Sequence, residues 1–230
     1  MIIYLRQKLK NTMGNMNTES INNLIFDLGG VILNIAPERT VQKMKQLGIA
    51  NFENLYSQLK QNETFDLLEK GEISEEQFVE EILKHVNEPL KKEDIIDAWN
   101  ELLLDFPKER IELLDELNKS TRFRTFLLSN TNSIHKKEYN QDLFNRFSKR
   151  LEDLFETAYF SHEVAMRKPD AEIFQYVLEQ EKLEPSETLF IDDSSDNIAA
   201  ASALGIKTCH IKDGTSITDL FPKQSAARQI

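Results

Sequence analysis

The stretch Leu24-Ile25-Phe26-Asp27-Leu28-Gly29-Gly30-Val31 decides how the rest of the chain is read. Three apolar residues stop at an acidic one and meet a glycine pair, which is the pattern of a buried strand running into a turn. Three later stretches repeat it: Thr125-Phe126-Leu127-Leu128 stops at Ser129-Asn130, Thr157-Ala158-Tyr159-Phe160 at Ser161, and Thr188-Leu189-Phe190-Ile191 at Asp192-Asp193. Ile206 to Ile211 adds a fifth apolar run. Helical patterns separate most of these runs. Leu113, Leu114 and Leu117 form one apolar stripe, and Ile173, Val177 and Leu178 another. The Ala-rich segment Ile198 to Leu204 closes on Gly205, a C-terminal stop. Strand–helix alternation with nearly continuous apolar strands predicts an α/β fold, a doubly wound, mainly parallel Rossmann-like sheet covered on both faces.

Residues 37–105 break the alternation. They contain no good strand and read as several amphipathic helices, too many for one crossover, so they are expected to form an inserted helical cap. Ser74 with Gln77 is a capping box opening a helix that carries Phe78, Ile82 and Leu83, and Gly71 ends the helix before it. The expected organisation is a disordered polar tail over 1–20, an α/β core from 21–36 and 106–230, and the cap over 37–105. The loop Glu69 to Ser74 and Phe65 are candidates for the inner surface of such a lid, Phe65 with the plainer reading of cap core. The charge runs Lys91-Lys92-Glu93-Asp94 and His135 to Glu138 read as solvated faces.

Composition narrows the function classes. The chain has 230 residues, 40% of them apolar, with 28 basic and 39 acidic side chains and a net charge of −11. Its pI is near 5.0 and its mean hydropathy −0.46. That balance opposes general nucleic-acid binding, which rests on Lys and Arg neutralising phosphates; it leaves room for a small phosphorylated substrate in a local pocket. The one cysteine, Cys209, excludes an intrachain disulfide and a cysteine-based zinc site. No apolar run approaches the roughly 18 residues of a membrane span. Met1 to Leu5 is apolar and is followed by basic residues, the reverse of a secretory signal, so the expected location is cytoplasmic. Oligomeric state stays open.

Ligands of open α/β sheets bind outside the carboxyl ends of the strands. There this chain places Asp27, Ser129-Asn130 and Asp192-Asp193, with Lys168 eight residues after the third strand. Each residue alone has a plain structural reading: a turn, an N-cap, a surface lysine before a helix-starting proline. Together they are three carboxylates that repel unless a cation joins them, and an oxygen donor set with open positions suits Mg²⁺. Mg²⁺ and a lysine are two positive charges aimed at a phosphoryl group. A carboxylate held against that group can attack phosphorus. Ser129 and its N–H would hold phosphoryl oxygens, and Asn130 would help orient them.

In this order, Phe26-Asp27-Leu28-Gly29-Gly30-Val31, Leu128-Ser129-Asn130-Thr131-Asn132, Met166-Arg167-Lys168-Pro169-Asp170 and Phe190-Ile191-Asp192-Asp193-Ser194-Ser195-Asp196-Asn197 resemble the motifs of the haloacid dehalogenase superfamily over about residues 22–212. Within it the chain is most similar to bacterial α-D-glucose-1-phosphate phosphatases, also through Gly71-Glu72-Ile73-Ser74. The resemblance implies a Mg²⁺-dependent phosphatase of small phosphorylated metabolites, sugar phosphates foremost, that forms an aspartyl-phosphate. It implies Asp27 as nucleophile and metal ligand, the Gly29 carbonyl as metal ligand, and Ser129 as phosphate-binding hydroxyl. It further implies Lys168 as the cation that neutralises nucleophile and phosphoryl, Asp193 as main acidic metal ligand with Asp192 beside it, and Asn197 in support.

One departure stands out. The general acid–base Asp usual two residues after the nucleophile is Gly29 here, and that role is typically worth about 10²–10⁴-fold in rate. A sugar 1-phosphate leaves as an anomeric alkoxide and needs less protonation; otherwise water, substrate or a cap residue must supply the proton. His135 and His162 are candidates by proximity, with His85 and Cys209-His210 behind them. Gly29 also keeps open a non-catalytic binding or regulatory member of the family. A metal-free 2-haloacid dehalogenase, in which the same Asp attacks carbon, is a third reading that leaves Asp192-Asp193 unexplained.

Overall fold

The computed structural model describes residues 20–49, 52, 64–86, 89–212 and 214–221. The expected tail, apart from Ser20, and residues 50–51, 53–63 and 87–88 of the expected cap lie outside the described residues. Five parallel strands form one sheet in the order β3-β2-β1-β4-β5: β1 Asn23–Phe26, β2 Arg124–Ser129, β3 Thr157–Phe160, β4 Thr188–Asp192 and β5 Lys207–His210. The expected α/β architecture is therefore present, with each strand within two residues of its apolar run.

Strand side chains alternate between the two faces, and two separate cores follow. Leu24, Phe26, Leu127, Leu189 and Ile191 pack on one face with α5 Lys108–Lys119, α6 Ser133–Phe147 and α10 Ile217–Leu220. Ile25, Phe126, Leu128 and Phe190 pack on the other with α8 Ala171–Glu181 and α9 Ser195–Ala203. The strands are buried on both sides, which explains why they read as unbroken apolar runs.

Between β1 and β2 lie α1 Pro37–Gln46, α2 Thr64–Glu69, α3 Glu75–Leu83 and α4 Lys92–Asn100. They share a third core of Met44, Phe65, Leu68, Phe78, Ile82, Ile95 and Trp99, joined by Ile134 of α6. Phe65 stacks on Trp99 at 5.3 Å and Phe78 lies 4.8 Å from the same ring, so Phe65 belongs to this core. The Ser74–Gln77 capping box opens α3 as expected. The helical unit is tied to the sheet where the chain leaves and returns: Ala36 N–H donates to Leu102 O at 2.8 Å, and Leu104 N–H to Asn34 O at 3.0 Å. Among the described residues, no helix is long and apolar enough to cross a membrane.

Candidate active site

From β1 the chain proceeds to β2 and β3 on one side and returns to β4 and β5 on the other. The switch point is thus the crevice beyond the carboxyl ends of β1 and β4. The register pairs Phe26 with Ile191, and Asp27 N–H continues the ladder by donating to Ile191 O at 2.9 Å. Asp27 and Asp192, the next residues on each strand, therefore stand side by side. Oxygens of Asp27, Asp192 and Asp193 all lie within 4.8 Å of one another.

Lys168 stands between two of these carboxylates. Its Nζ donates to Asp27 Oδ1 at 2.6 Å and to Asp192 Oδ2 at 2.8 Å, and its side chain is only 1% exposed. It is no surface lysine. Burial alone would depress its pKa, but the two carboxylates outweigh that and raise it, so it stays charged. Burial raises the Asp27 carboxyl to about 7, with Lys168 pulling down and Asp192 pushing up. Burial and then Asp192 also raise Asp193. Three carboxylates against one ammonium leave two negative charges uncompensated at this spot, the deficit a divalent cation fills. The all-oxygen donor set fits Mg²⁺ rather than a metal that favours nitrogen or sulfur.

The two adjacent aspartates part company. Asp192 is fully buried and held: Oδ1 accepts from Ser194 N–H at 2.7 Å, and Asn197 Nδ2 approaches its two oxygens at 3.2 and 3.1 Å. Asn197 thus fixes Asp192, and Ser194, not the aspartate pair, caps α9. Asp193, with one oxygen still within 4.8 Å of the other two carboxylates, lies over Gly30 and borders a cavity of about 790 Å³ also lined by Ile35, Arg110, His210 and Lys212. In the sequence the signal for Gly30 is its place as second glycine of the pair after β1.

Ser129 is buried at the end of β2, with its hydroxyl 3.4 Å from Asn130 O. Asn130, expected at the substrate, commits its side chain to the Lys168 backbone. Its Nδ2 donates to Lys168 O at 2.8 Å and its Oδ1 accepts from Lys168 N–H at 2.9 Å. Both ends of its amide are thereby tied to the backbone of Lys168. Gly29 has Ile35 Cδ1 only 3.2 Å from where its β-carbon would be, so the aliphatic chain fills the direction an acid at this position would take.

His135 departs from both of its expectations, a solvated position and a proton donor. It is buried, stacks on Trp99 at 5.2 Å, and engages both ring nitrogens, Nδ1 with Asn132 Nδ2 at 3.1 Å and Nε2 with Trp99 O at 3.2 Å. A surface reading failed because Lys136-Lys137-Glu138 beside it are charged, while Trp99, distant in sequence, covers its ring. Arg167 belongs to the third motif and carries no role of its own in the sequence. It reaches from the residue beside Lys168 to the helical unit, where it contacts Asp66 and, through Nη2 at 3.0 Å, Glu69.

Comparison with known proteins places this geometry. D-Ribitol-5-phosphate phosphatase of Bacteroides thetaiotaomicron is 31% identical over 194 residues, 84% of this chain and 93% of that protein. A phosphorylated carbohydrates phosphatase of Thermotoga maritima is 27% identical over 208 residues, 85% of this chain and 89% of its own. A HAD family enzyme of B. thetaiotaomicron, solved as a complex with magnesium and inorganic phosphate, superposes with a TM-score of 0.80 at 38% identity, covering 87% of this chain and 99% of that one. The sequence profile of the haloacid dehalogenase-like hydrolases matches residues 21–205, and the chain belongs to that family.

Proposed function

We propose that the protein is a Mg²⁺-dependent phosphatase of small phosphorylated metabolites of the sugar-phosphate class, working through an aspartyl-phosphate on Asp27. The observation that carries this reading is the buried Asp27–Lys168–Asp192 array with Asp193 beside it, short of two positive charges. The relatives named for pentitol phosphate and carbohydrate phosphates support the substrate class.

Asp27, Asp192, Asp193 and the Gly29 carbonyl would hold the ion, which when bound neutralises phosphoryl oxygens and makes phosphorus a better electrophile. An Asp27 oxygen forms the new bond to phosphorus as the ester oxygen leaves. Lys168 compensates charge on nucleophile and phosphoryl, and Ser129 donates to a phosphoryl oxygen. Water then breaks the aspartyl-phosphate, returning Asp27 as carboxylate; the net change is ester and water to alcohol and inorganic phosphate. Asn130 keeps Lys168 in register throughout. The helical unit 37–105 serves as a cap that excludes bulk water. Gly29 has no side chain to give, so the alcohol's proton comes from elsewhere than that position.

The test is phosphate release from a panel of sugar and alditol phosphates with Mg²⁺. We expect turnover in the wild type, loss with EDTA, and loss in Asp27→Asn. Undiminished turnover in Asp27→Asn would falsify the nucleophile assignment. Halide release from 2-haloacids without Mg²⁺ would favour attack on carbon instead.

A further inference from the structure

We propose that the cavity beside Asp193 is a second anion subsite, where Arg110 and Lys212 bind a phosphate other than the one under attack; the proposal builds on the phosphatase reading above. The cavity, about 790 Å³, has the size of a small-molecule site rather than of an ion's hydration shell. Asp193 lies on its wall, and one Asp193 oxygen is within 4.8 Å of oxygens of Asp27 and Asp192. A molecule in the cavity therefore abuts the carboxylates of the site. His210 Nε2, 2.9 Å from Asp193 O, ties the end of β5 to the same wall.

Both cations on the wall are unspent. Arg110, in the first turn of α5, uses Nη1 on the loop after β1, donating to Asn34 Oδ1 at 3.0 Å and to Ile32 O at 3.4 Å. Asn34 Nδ2 in turn donates to Asp105 Oδ1 at 3.0 Å. The guanidinium is thus clamped at one end, while among the described residues its Nε and Nη2 have no partner and packing does not close them off. Nε–H and one Nη2–H point the same way and form the fork that grips two oxygens of one phosphate. Lys212 is exposed, and its Nζ has neither a hydrogen bond nor an ion pair among the described residues. Both groups only donate, so an oxyanion answers them and a cation does not. The same charges argue against the cavity as an entry for Mg²⁺. Burial lowers the Arg110 pKa and Asp105, reached through Asn34, opposes it only in part, so this half-buried charge lacks a full counter-ion. The carboxylate on the wall, Asp193, is the one assigned above to the ion. On a chain of net charge −11, two cations without carboxylate partners at one cavity mark a place suited to an anion.

The phosphate has two sources, a second phosphate of the substrate or free inorganic phosphate, and the experiment separates them. It uses the full chain, with Arg110→Lys, which keeps the charge and loses the fork, and Lys212→Gln, at an exposed position. Turnover of a pentitol 1,5-bisphosphate and a pentitol 5-phosphate is measured with Mg²⁺, and inorganic phosphate is titrated calorimetrically with and without Mg²⁺. If the second phosphate is the substrate's, each variant loses roughly 10- to 100-fold in kcat/KM for the bisphosphate, mainly through KM, and less than about threefold for the monophosphate. If it is free phosphate, the metal-free protein binds it, each variant weakens that binding by roughly 10- to 100-fold, and turnover of both esters stays within about threefold. Without the ion, the uncompensated carboxylates repel phosphate from Asp27, so the titration reads the second subsite whatever the turnover. Equal losses on the two esters would make Arg110 and Lys212 props of the metal site and overturn the proposal, as would bisphosphate turnover and phosphate binding that neither variant alters. A wild type inactive on both esters would strike the phosphatase reading, and the titration then decides the subsite alone.

Discussion

Gly30 and Asp193 meet across a gap that only a hydrogen atom fits: a β-carbon on Gly30 would lie 2.7 Å from Asp193 Cγ, and Gly30 holds φ at +72°. Gly30→Ala therefore carries two faults, a left-handed backbone costing about 1–2 kcal/mol for a residue with a side chain and displacement of the Asp193 carboxylate, the proposed metal ligand. We expect the Mg²⁺ concentration for half-maximal phosphate release to rise by about tenfold, each tenfold being about 1.4 kcal/mol, with the fold retained by circular dichroism. Gly48→Ala is the control. Gly48 holds φ at +91° with nothing within 4 Å of its β-carbon, so it carries the backbone fault alone, and its Mg²⁺ titration should stay within about twofold of wild type, about 0.4 kcal/mol on the same scale. Equal shifts in the two variants would count against Asp193 as a ligand.

Lys168 gives a prediction about stability as well as rate. Lys168→Ala leaves Asp27 and Asp192 buried without their shared cation. Breaking one side of a buried ion pair typically costs about 3–5 kcal/mol. Without Mg²⁺ the loss should be full at pH 7.5 and smaller at pH 5, where the orphaned carboxyls take up protons. Urea unfolding at the two pH values measures it; a loss independent of pH would show that packing of the lysine stem, not its charge, is what the site needs.

Asp27 sets the direction of a pH effect. Its carboxyl ionises near 7 in the folded chain against 3.8 ordinarily. Between those values the folded state keeps a proton the unfolded chain has released, so on this account the metal-free protein loses stability as pH rises from about 4 to about 7. Ion binding requires the carboxylate. Millimolar Mg²⁺ should thus raise the thermal midpoint more at pH 8 than at pH 5.5, as differential scanning fluorimetry would show. A larger gain at pH 5.5 would argue that the ion binds elsewhere.

The contrast between what the sequence made legible and what it hid is physical. Leu24-Ile25-Phe26 and Thr188-Leu189-Phe190-Ile191 were readable as strands because a doubly covered sheet tolerates no polar residue until its end, and the ends therefore announced Asp27 and Asp192. The separate duties of Asp192 and Asp193 were not readable, because strand alternation sends the neighbours apart without saying which of them meets Lys168 and Asn197. That the backbone of Lys168, 38 residues on, meets the Asn130 amide has no signal in the sequence. Arg167 and Glu69, 98 positions apart, carry no mutual signal; only the docking of α2 on the core brings them together.

His135 makes the cap–core contact sensitive to acid. Asn132 Oδ1 already accepts from His135 N–H at 3.0 Å, so the amide side facing the ring is the NH₂. Nδ1 must accept from it, and the ring proton sits on Nε2, donated to Trp99 O. A second proton on Nδ1 would face another donor. Burial lowers this imidazole to about 4, the Trp99 carbonyl only partly opposing. A folded value below the ordinary 6.5 means that its contribution is intact above pH 6.5 and is lost as pH falls toward 4, on the order of 3 kcal/mol in all. Trp99 is the only tryptophan of the chain, and its ring lies against His135. Its emission should therefore shift to the red as pH drops through that window, and His135→Gln, which has no proton to gain, should hold the neutral-pH spectrum. The same shift in both proteins would place the acid-sensitive step in another group.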